Sequence, residues 1–117
     1  MFFPESSVKI WLYAKATDMR KSYDGLIALA KNHLGEDPLS GHLFVFFNRK
    51  RNRVKVLYFD RSGYCIWMKR LESGQFHFNR QNTDKQVLSW TQLKLILEGI
   101  QLNNVTTRKR YSHAINR

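Results

Sequence analysis

Between residues 43 and 79, short apolar runs alternate with turns of only a few residues, and this spacing constrains the fold more than any other feature. The predicted strands cover 43–47, 53–60, 64–71 and 75–79. Connections this short allow each strand to pair only with its neighbour in sequence, which predicts an antiparallel meander. An earlier segment, 8–15, alternates apolar and polar residues and predicts one further strand with a single face on the core.

Two segments with helical periodicity flank the meander. Residues 23–34 place apolar side chains at helical spacing and follow Ser22, a residue type that is favoured at helix N-termini. Residues 90–97 show a second apolar face, and Ser89 with Gln92 fits a capping box. We therefore expect one helix before the meander and one after it.

The chain has the size and composition of one folded domain. It contains 117 residues, of which 43% are hydrophobic. We expect a single α+β domain over 1–102, built on an antiparallel meander of about five strands. Residues 103–117 have few large apolar side chains, so we expect a basic, mobile tail. One cysteine, no apolar run of membrane length and no secretory leader predict a cytoplasmic protein without a membrane partner.

The positive charge is concentrated in a central block and in the tail. The chain carries +11, of which residues 43–80 contribute +7 and residues 101–117 contribute +4. Such clustering is typical of proteins that bind a polyanion, and it predicts DNA as a partner. A basic surface with no nucleic-acid role is the competing interpretation. The candidate phosphate-binding residues are Arg49, Lys50, Arg51, Arg53, Lys55, Lys69, Arg70, Arg108, Lys109 and Arg110.

Two aromatic residues alternate with lysines on the first predicted strand. Trp11 and Tyr13 share a face with Lys9 and Lys15. Aromatic rings beside cations can stack the bases of single-stranded nucleic acid, so both are candidates for base stacking. Packing against a helix or a partner sheet is the competing interpretation, and it is the commoner role of aromatic residues on strands.

No sequence motif indicates an enzyme. No two carboxylates have the spacing of a metal site, and no histidine pairs with Cys65 at zinc-like spacing. A glycine-rich phosphate loop is also absent. We therefore predict no catalytic residue, no metal, no cofactor and no small-molecule substrate. The less favoured alternative is a two-metal nuclease whose carboxylates converge in the fold, with Asp18, Asp24 and Asp60 as candidates.

Several strings of the chain resemble a known family. They are Val8-Lys9-Ile10-Trp11-Leu12, Thr17-Asp18-Met19-Arg20-Lys21-Ser22-Tyr23-Asp24-Gly25-Leu26 and Asp37-Pro38-Leu39-Ser40-Gly41-His42-Leu43-Phe44-Val45-Phe46, continued by Arg53-Val54-Lys55-Val56-Leu57 and Lys69-Arg70-Leu71-Glu72-Ser73-Gly74-Gln75-Phe76. These strings resemble the TnpB accessory proteins of the insertion-sequence-66 class of bacterial transposable elements, which are distinct from the RNA-guided nuclease of the same name. The resemblance covers residues 8–100 and departs from the family at Lys15-Ala16, where Gly-Pro is common.

The resemblance implies a small protein that is encoded beside a larger transposase, to which the strand-transfer chemistry is assigned. Together with the charge pattern, it predicts a non-catalytic accessory protein of DNA transposition that binds DNA through the basic hairpin and assists that transposase. DNA and the transposase of the same element are the predicted partners. The alternative is a protein–protein adaptor of the transposase with little DNA contact, whose basic block meets an acidic surface.

Overall fold

The computed structural model describes residues 7–79 and 83–99, which form a five-stranded sheet with one helix on each face. The strand order across the sheet is β4-β3-β2-β1-β5. The α+β class and the number of strands are confirmed. In chain order the elements are β1 (Ile10–Tyr13), α1 (Tyr23–Asn32), β2 (Leu43–Phe47), β3 (Arg53–Asp60), β4 (Gly63–Arg70), β5 (Lys85–Leu88) and α2 (Trp90–Leu97).

β1 runs parallel to β2, so the sheet is mixed and the predicted purely antiparallel arrangement is wrong. Ile10 lies opposite Leu43 and Tyr13 lies opposite Phe46 in this parallel pair. The other three strand pairs are antiparallel. The connection from β1 to β2 contains α1 and is therefore long enough to return the chain to the same end of the sheet. As a consequence, the segments that follow β1 and β2 leave the sheet at the same end of the strands.

The predicted strand over 75–79 is wrong, and β5 occupies the fifth place in the sheet. Residues 75–79 form no strand; instead the Phe76 and Phe78 rings lie 5.4 Å and 4.6 Å from the Phe47 ring, measured between centroids. The period-two pattern of this segment therefore comes from two phenylalanines packed on one core residue. β5 lacks an apolar face, and its pairing with the edge of β1 defines it as a strand.

Each face of the sheet is covered by a different helix. Ile10 and Leu12 pack in one core with Leu93 and Ile96 of α2. The opposite core contains Tyr13, Phe44 and Phe46 together with Leu26 and Ala30 of α1, a set that the alternation of β1 and β2 directs to the other side. β1 thus has two buried faces, and the expectation of a single core face is wrong because a helix covers each side. All five residues of β2 are buried, as befits a central strand.

The helix signals in the sequence match the structure closely. Ser89 Oγ accepts a hydrogen bond from Gln92 N at 3.0 Å, and Gln92 Oε1 accepts one from Ser89 N at 2.8 Å, so the predicted capping box is confirmed. α1 begins at Tyr23 as predicted, although the Ser22 side chain makes no capping hydrogen bond. Within residues 7–79 and 83–99, no helix is long and apolar enough to cross a membrane. The predicted domain end at 102 and the tail over 103–117 lie outside the described residues.

Candidate nucleic-acid interface

The parallel β1–β2 pair brings two polar segments together where both strands end. Thr17 N donates a hydrogen bond to Phe47 O at 2.8 Å, which ties the loop after β1 to the end of β2. A cleft of about 670 Å³ lies between the Ala16–Arg20 loop and the Asn48–Arg53 turn. We call it the basic cleft. In open sheets with parallel strands, ligands bind in the crevice outside the carboxyl ends of those strands, and the basic cleft occupies that place.

The Asn48–Arg53 turn is organised by the Asn48 side chain. Asn48 Oδ1 accepts hydrogen bonds from Asn52 N and Arg53 N, both at 3.0 Å, and Asn48 Nδ2 donates to Asn52 Oδ1 at 2.7 Å. Arg51 adopts a left-handed backbone conformation with φ of 55°. The side-chain hydrogen bonds replace contacts that the strand ladder would otherwise provide, and they hold the turn in one conformation.

The segment after β4 braces the same turn from outside. Leu71 N donates to Asn52 O at 2.8 Å and Phe76 N donates to Arg51 O at 2.6 Å. Gln75 Nε2 adds a hydrogen bond to Lys50 O at 3.0 Å. The turn is therefore supported by this segment, while the loop after β1 is tied to the end of β2 beside it. Because the backbone of the turn is already held in place, a ligand that binds its side chains would not have to order it.

Three exposed cations of the turn line the basic cleft without partners among the described residues. Arg49, Lys50 and Arg53 are exposed, and their side chains form no ion pair or hydrogen bond with the residues that the structure describes. These are three of the residues that the charge pattern predicted as phosphate contacts. Because no internal bond would have to break, their full charge is available to an anion in the cleft.

Arg20 and Asp18 face these cations across the cleft. Arg20 Nη2 lies 2.7 Å from Asp18 Oδ2, and the guanidinium donates to both carboxylate oxygens. These hydrogen bonds, with one from Arg20 N, lower the pKa of Asp18 to about 2. Asp18 is thus ionised at neutral pH and offsets part of the positive potential of the cleft.

Lys55, another predicted phosphate contact, has a structural role. Its Nζ donates to Met19 O at 2.8 Å and to Lys21 O at 2.7 Å. These two hydrogen bonds fasten the loop before α1 to β3. Since its charge is already engaged with backbone carbonyls, Lys55 differs from Arg53, which lies two positions earlier on the same face of the strand.

Lys69 and Arg70 are also engaged elsewhere. Lys69 Nζ donates to Leu97 O at 2.8 Å, in the last turn of α2, where a cation is favoured by the helix dipole. Arg70 Nε donates to Glu72 Oε2 at 2.9 Å on the surface. Neither residue lines the basic cleft. Arg108, Lys109 and Arg110 lie outside the described residues, and their predicted role in binding stays a prediction.

Trp11 and Tyr13 face α1 and lie away from the basic cleft. Tyr13 is 6% exposed, its ring meets Phe46 edge-on at 6.1 Å, and burial raises its pKa. Trp11 is half-buried, and Lys85 Nζ lies 4.4 Å from the centroid of its ring. Base stacking by these two residues stays a prediction, and their packing matches the competing interpretation.

A smaller pocket adjoins the basic cleft around the end of β2. It has a volume of about 300 Å³, and Lys15, Arg51 and Phe78 contribute to its lining. The Arg51 guanidinium carbon lies 4.3 Å from the centroid of the Phe78 ring. We call it the Phe78 pocket. Ala16, Asn48 and Arg49 line both the Phe78 pocket and the basic cleft, so the two spaces meet at these residues.

Sequence reasoning missed Lys15, Arg20 and Phe78 as members of this site. Lys15 and Arg20 lie in the loop after β1 and Phe78 lies in the 71–78 segment, both far along the chain from the Asn48–Arg53 turn. The signals that could have found them are the basic dipeptide at Arg20-Lys21 and the alternation that ends at Phe78. Throughout the described part of the chain, no three His, Cys, Asp or Glu side chains cluster in a way that could hold a metal ion.

Comparison with known proteins identifies the family. A family model described as IS66 Orf2 like protein, TnpB_IS66, matches residues 8–107. The chain is 34% identical over 94 residues to "Uncharacterized protein y4hO" of Sinorhizobium fredii (strain NBRC 101917 / NGR234), covering 80% of this chain and 82% of that protein. It is 30% identical over 105 residues to "Uncharacterized protein y4jC" of the same strain, covering 90% of each.

No solved structure matches the chain. The family match spans all of residues 8–100, the region on which the sequence resemblance was based, so that resemblance is confirmed. The chain belongs to the IS66 Orf2-like family, which makes it a transposition-associated accessory protein.

Proposed function

We propose that this protein is a non-catalytic accessory factor of DNA transposition, which binds DNA phosphates in the basic cleft and assists a separate transposase. One observation carries the proposal. Arg49, Lys50 and Arg53 converge on a single cleft, on a braced turn, without partners among the described residues. Cations arranged in this way can bind a polyanion without breaking a contact inside the protein. Each phosphate that they neutralise releases counterions, which favours binding.

The family context supports DNA as the polyanion. Contacts to phosphate fix the position and orientation of a protein on DNA but read no sequence. The proposal therefore includes no target site. It assigns the protein the task of holding element DNA in place on, or for, the transposase that performs the chemistry.

The chemistry of the basic cleft supports a binding role. Asp18 is its one carboxylate among the described lining residues, and no histidine or cysteine side chain joins it there. A carboxylate with a pKa of about 2 is a weak proton acceptor at neutral pH. These features favour holding an anion over cleaving one.

The decisive experiment is a salt titration of DNA binding with Mg²⁺ present and the DNA checked on a gel. The test variant carries Arg49→Gln, Lys50→Gln and Arg53→Gln. The matched control carries Lys31→Gln, Arg61→Asn and Lys94→Gln, which removes three exposed charges outside the cleft. Asn suits position 61 because Arg61 has φ of 55°, a conformation that Asn tolerates well.

We expect steep salt dependence for the wild type and the control. With a duplex probe, the magnitude of the slope of log K against log salt should fall by roughly 0.9 for each phosphate contact removed, so by up to about 2.7 in the cleft variant. With a single-stranded probe the corresponding values are roughly 0.7 and 2.1. An unchanged slope in the cleft variant, or an equal drop in the control, overturns the cleft assignment. Cleavage of the DNA would contradict the non-catalytic role. Failure of the wild type to bind DNA at low salt would overturn the proposal and favour the adaptor alternative.

A further inference from the structure

We infer that the basic cleft and the Phe78 pocket together hold one strand of single-stranded DNA, with a nucleobase placed against the Phe78–Arg51 wall. This inference rests on the proposed function and adds its substrate class, an unpaired stretch or end of a DNA strand. Three features of the described residues lead to it: the continuity of the two spaces, the aromatic wall and the bracing of the turn.

The two spaces form one path around the carboxyl end of β2. Arg49 lines both of them, with the Ala16–Arg20 loop on one side and Phe78 on the other. The cations differ between the two ends. Arg20, Lys50 and Arg53 line the larger space, whereas Lys15 and Arg51 line the smaller one. A flexible DNA strand with regularly spaced phosphates can follow such a path, because cations line both the basic cleft and the Phe78 pocket.

The smaller space has a wall suited to a flat ring. Phe78 stacks on Phe47 with centroids 4.6 Å apart and an interplanar angle of 26°, so Phe47 supports it from the core. The Arg51 guanidinium lies over the Phe78 ring at 4.3 Å. Unstacked bases bind on aromatic rings and on guanidinium planes, and this mode is tolerant of sequence. Because Phe47 and Arg51 cover the two faces of the Phe78 ring, a nucleobase would stack on the outer side of the Arg51 guanidinium, which Phe78 supports from behind.

The bracing of the turn argues against a duplex as the preferred ligand. The Asn48–Arg53 turn is tied to the 71–78 segment through Arg51 O and Asn52 O, so it does not project as a free ribbon into a DNA groove. The cations instead surround a concave space. The bases of a duplex are stacked inside the helix and cannot reach a side pocket unless they are flipped out. A single strand presents phosphates and base faces together, and both spaces are then used.

The first test compares three probes with the wild-type protein: an unstructured single strand, a duplex of equal length, and a fully abasic strand with the same phosphates. We expect the single strand to bind about five- to a hundredfold more tightly than either other probe, which is the range expected for base stacking. The salt slopes of the ordinary and abasic strands should be equal, because both present the same phosphates to the cleft.

The second test uses variants of the wall. Phe78→Leu keeps an apolar contact with Phe47 but removes the ring that supports the Arg51 guanidinium, and Arg51→Lys keeps the charge but removes the planar guanidinium. Each should lower single-strand affinity about fivefold or more and leave abasic-strand binding unchanged. Phe59→Leu is the matched control, since the Phe59 ring contacts Tyr64 and lines neither space. The probe comparison holds even if a variant fails to fold.

The outcomes separate this inference from the function on which it rests. Equal affinity for ordinary and abasic strands, or a duplex that binds as tightly as the single strand, overturns the inference while phosphate binding stands. Failure of all three probes to bind at low salt overturns both. Loss of abasic binding in Phe78→Leu shows a damaged cleft and contradicts the assignment of the wall to a base.

Discussion

The two turns at the ends of β3 contain the same residue type in the same backbone conformation, yet they differ in what surrounds them. Arg51 and Arg61 both have φ of 55°. Arg61 lies in the short connection between β3 and β4 and is exposed. Arg51 lies in a turn that Asn48 organises from within and that Phe76 holds from outside. The comparison teaches that a basic turn becomes a candidate site through its bracing and through a facing loop.

The same lesson applies along β3 itself. Arg53 and Lys55 share a strand and a face, but Arg53 opens onto the basic cleft and Lys55 is bonded to two carbonyls. Net charge treats the two residues alike. Their roles differ because a chain segment, the loop before α1, happens to present carbonyl oxygens within reach of Lys55 and not of Arg53.

The largest expected effect comes from breaking the braced turn. Asn48→Ala removes three hydrogen bonds and leaves the Asn52 and Arg53 N–H groups without their acceptor. The free energy of unfolding should fall by about 1.5–4.5 kcal/mol, since each of the three bonds contributes about 0.5–1.5 kcal/mol. Urea unfolding measures this loss of stability, and Asp60→Ala, in the turn at the other end of β3, is the control. The control should change stability by less than about 0.5 kcal/mol; equal losses would show that the two turns are braced alike.

An intermediate effect separates the two cations on one face of β3. Lys55→Met keeps the length of the side chain but loses the hydrogen bonds to Met19 O and Lys21 O. Stability should fall by about 1.5–3 kcal/mol, the range for a hydrogen bond to a charged group, with the DNA salt slope unchanged. Arg53→Gln should have the opposite pattern: stability should change by less than about 0.5 kcal/mol, and the magnitude of the slope should fall by about 0.7 with a single strand or about 0.9 with a duplex. A lower slope in Lys55→Met with unchanged stability would place Lys55 among the phosphate contacts.

The smallest expected effect concerns the acid in the basic cleft. Arg20 lowers the pKa of Asp18 from 3.8 to about 2, so ionised Asp18 stabilises the fold above pH 3.8 and loses this effect as the pH falls through about 2. Thermal unfolding of the wild type and Asp18→Asn should therefore differ slightly near neutral pH and coincide at low pH. At low salt, Asp18→Asn should bind DNA more tightly because the cleft loses a negative charge. A stability difference that grows toward low pH would contradict the assigned ion pair.

Local signals predicted much of the fold. The capping box at Ser89 and Gln92, the apolar run of β2 and the hairpin of β3 and β4 depend on residues close together in the chain, and the structure has them where the sequence indicated. The alternation at Phe76 and Phe78 misled the prediction, because packing on Phe47 produces the same period as a strand. β5 escaped prediction because its partner, β1, is about 75 residues away and supplies the pairing that its own composition does not indicate.

The sequence by itself determined the positive charge of the Asn48–Arg53 turn and the Asn48 side chain that organises it, since both depend on a few consecutive residues. The tertiary structure alone decided which cations are available. The parallel pairing of β1 with β2 set Arg20 and Lys15 beside the turn, whereas the loop before α1 and the last turn of α2 placed carbonyls against Lys55 and Lys69. A charge is a property of the residue, but its use depends on which groups the rest of the chain brings within about 3 Å of it.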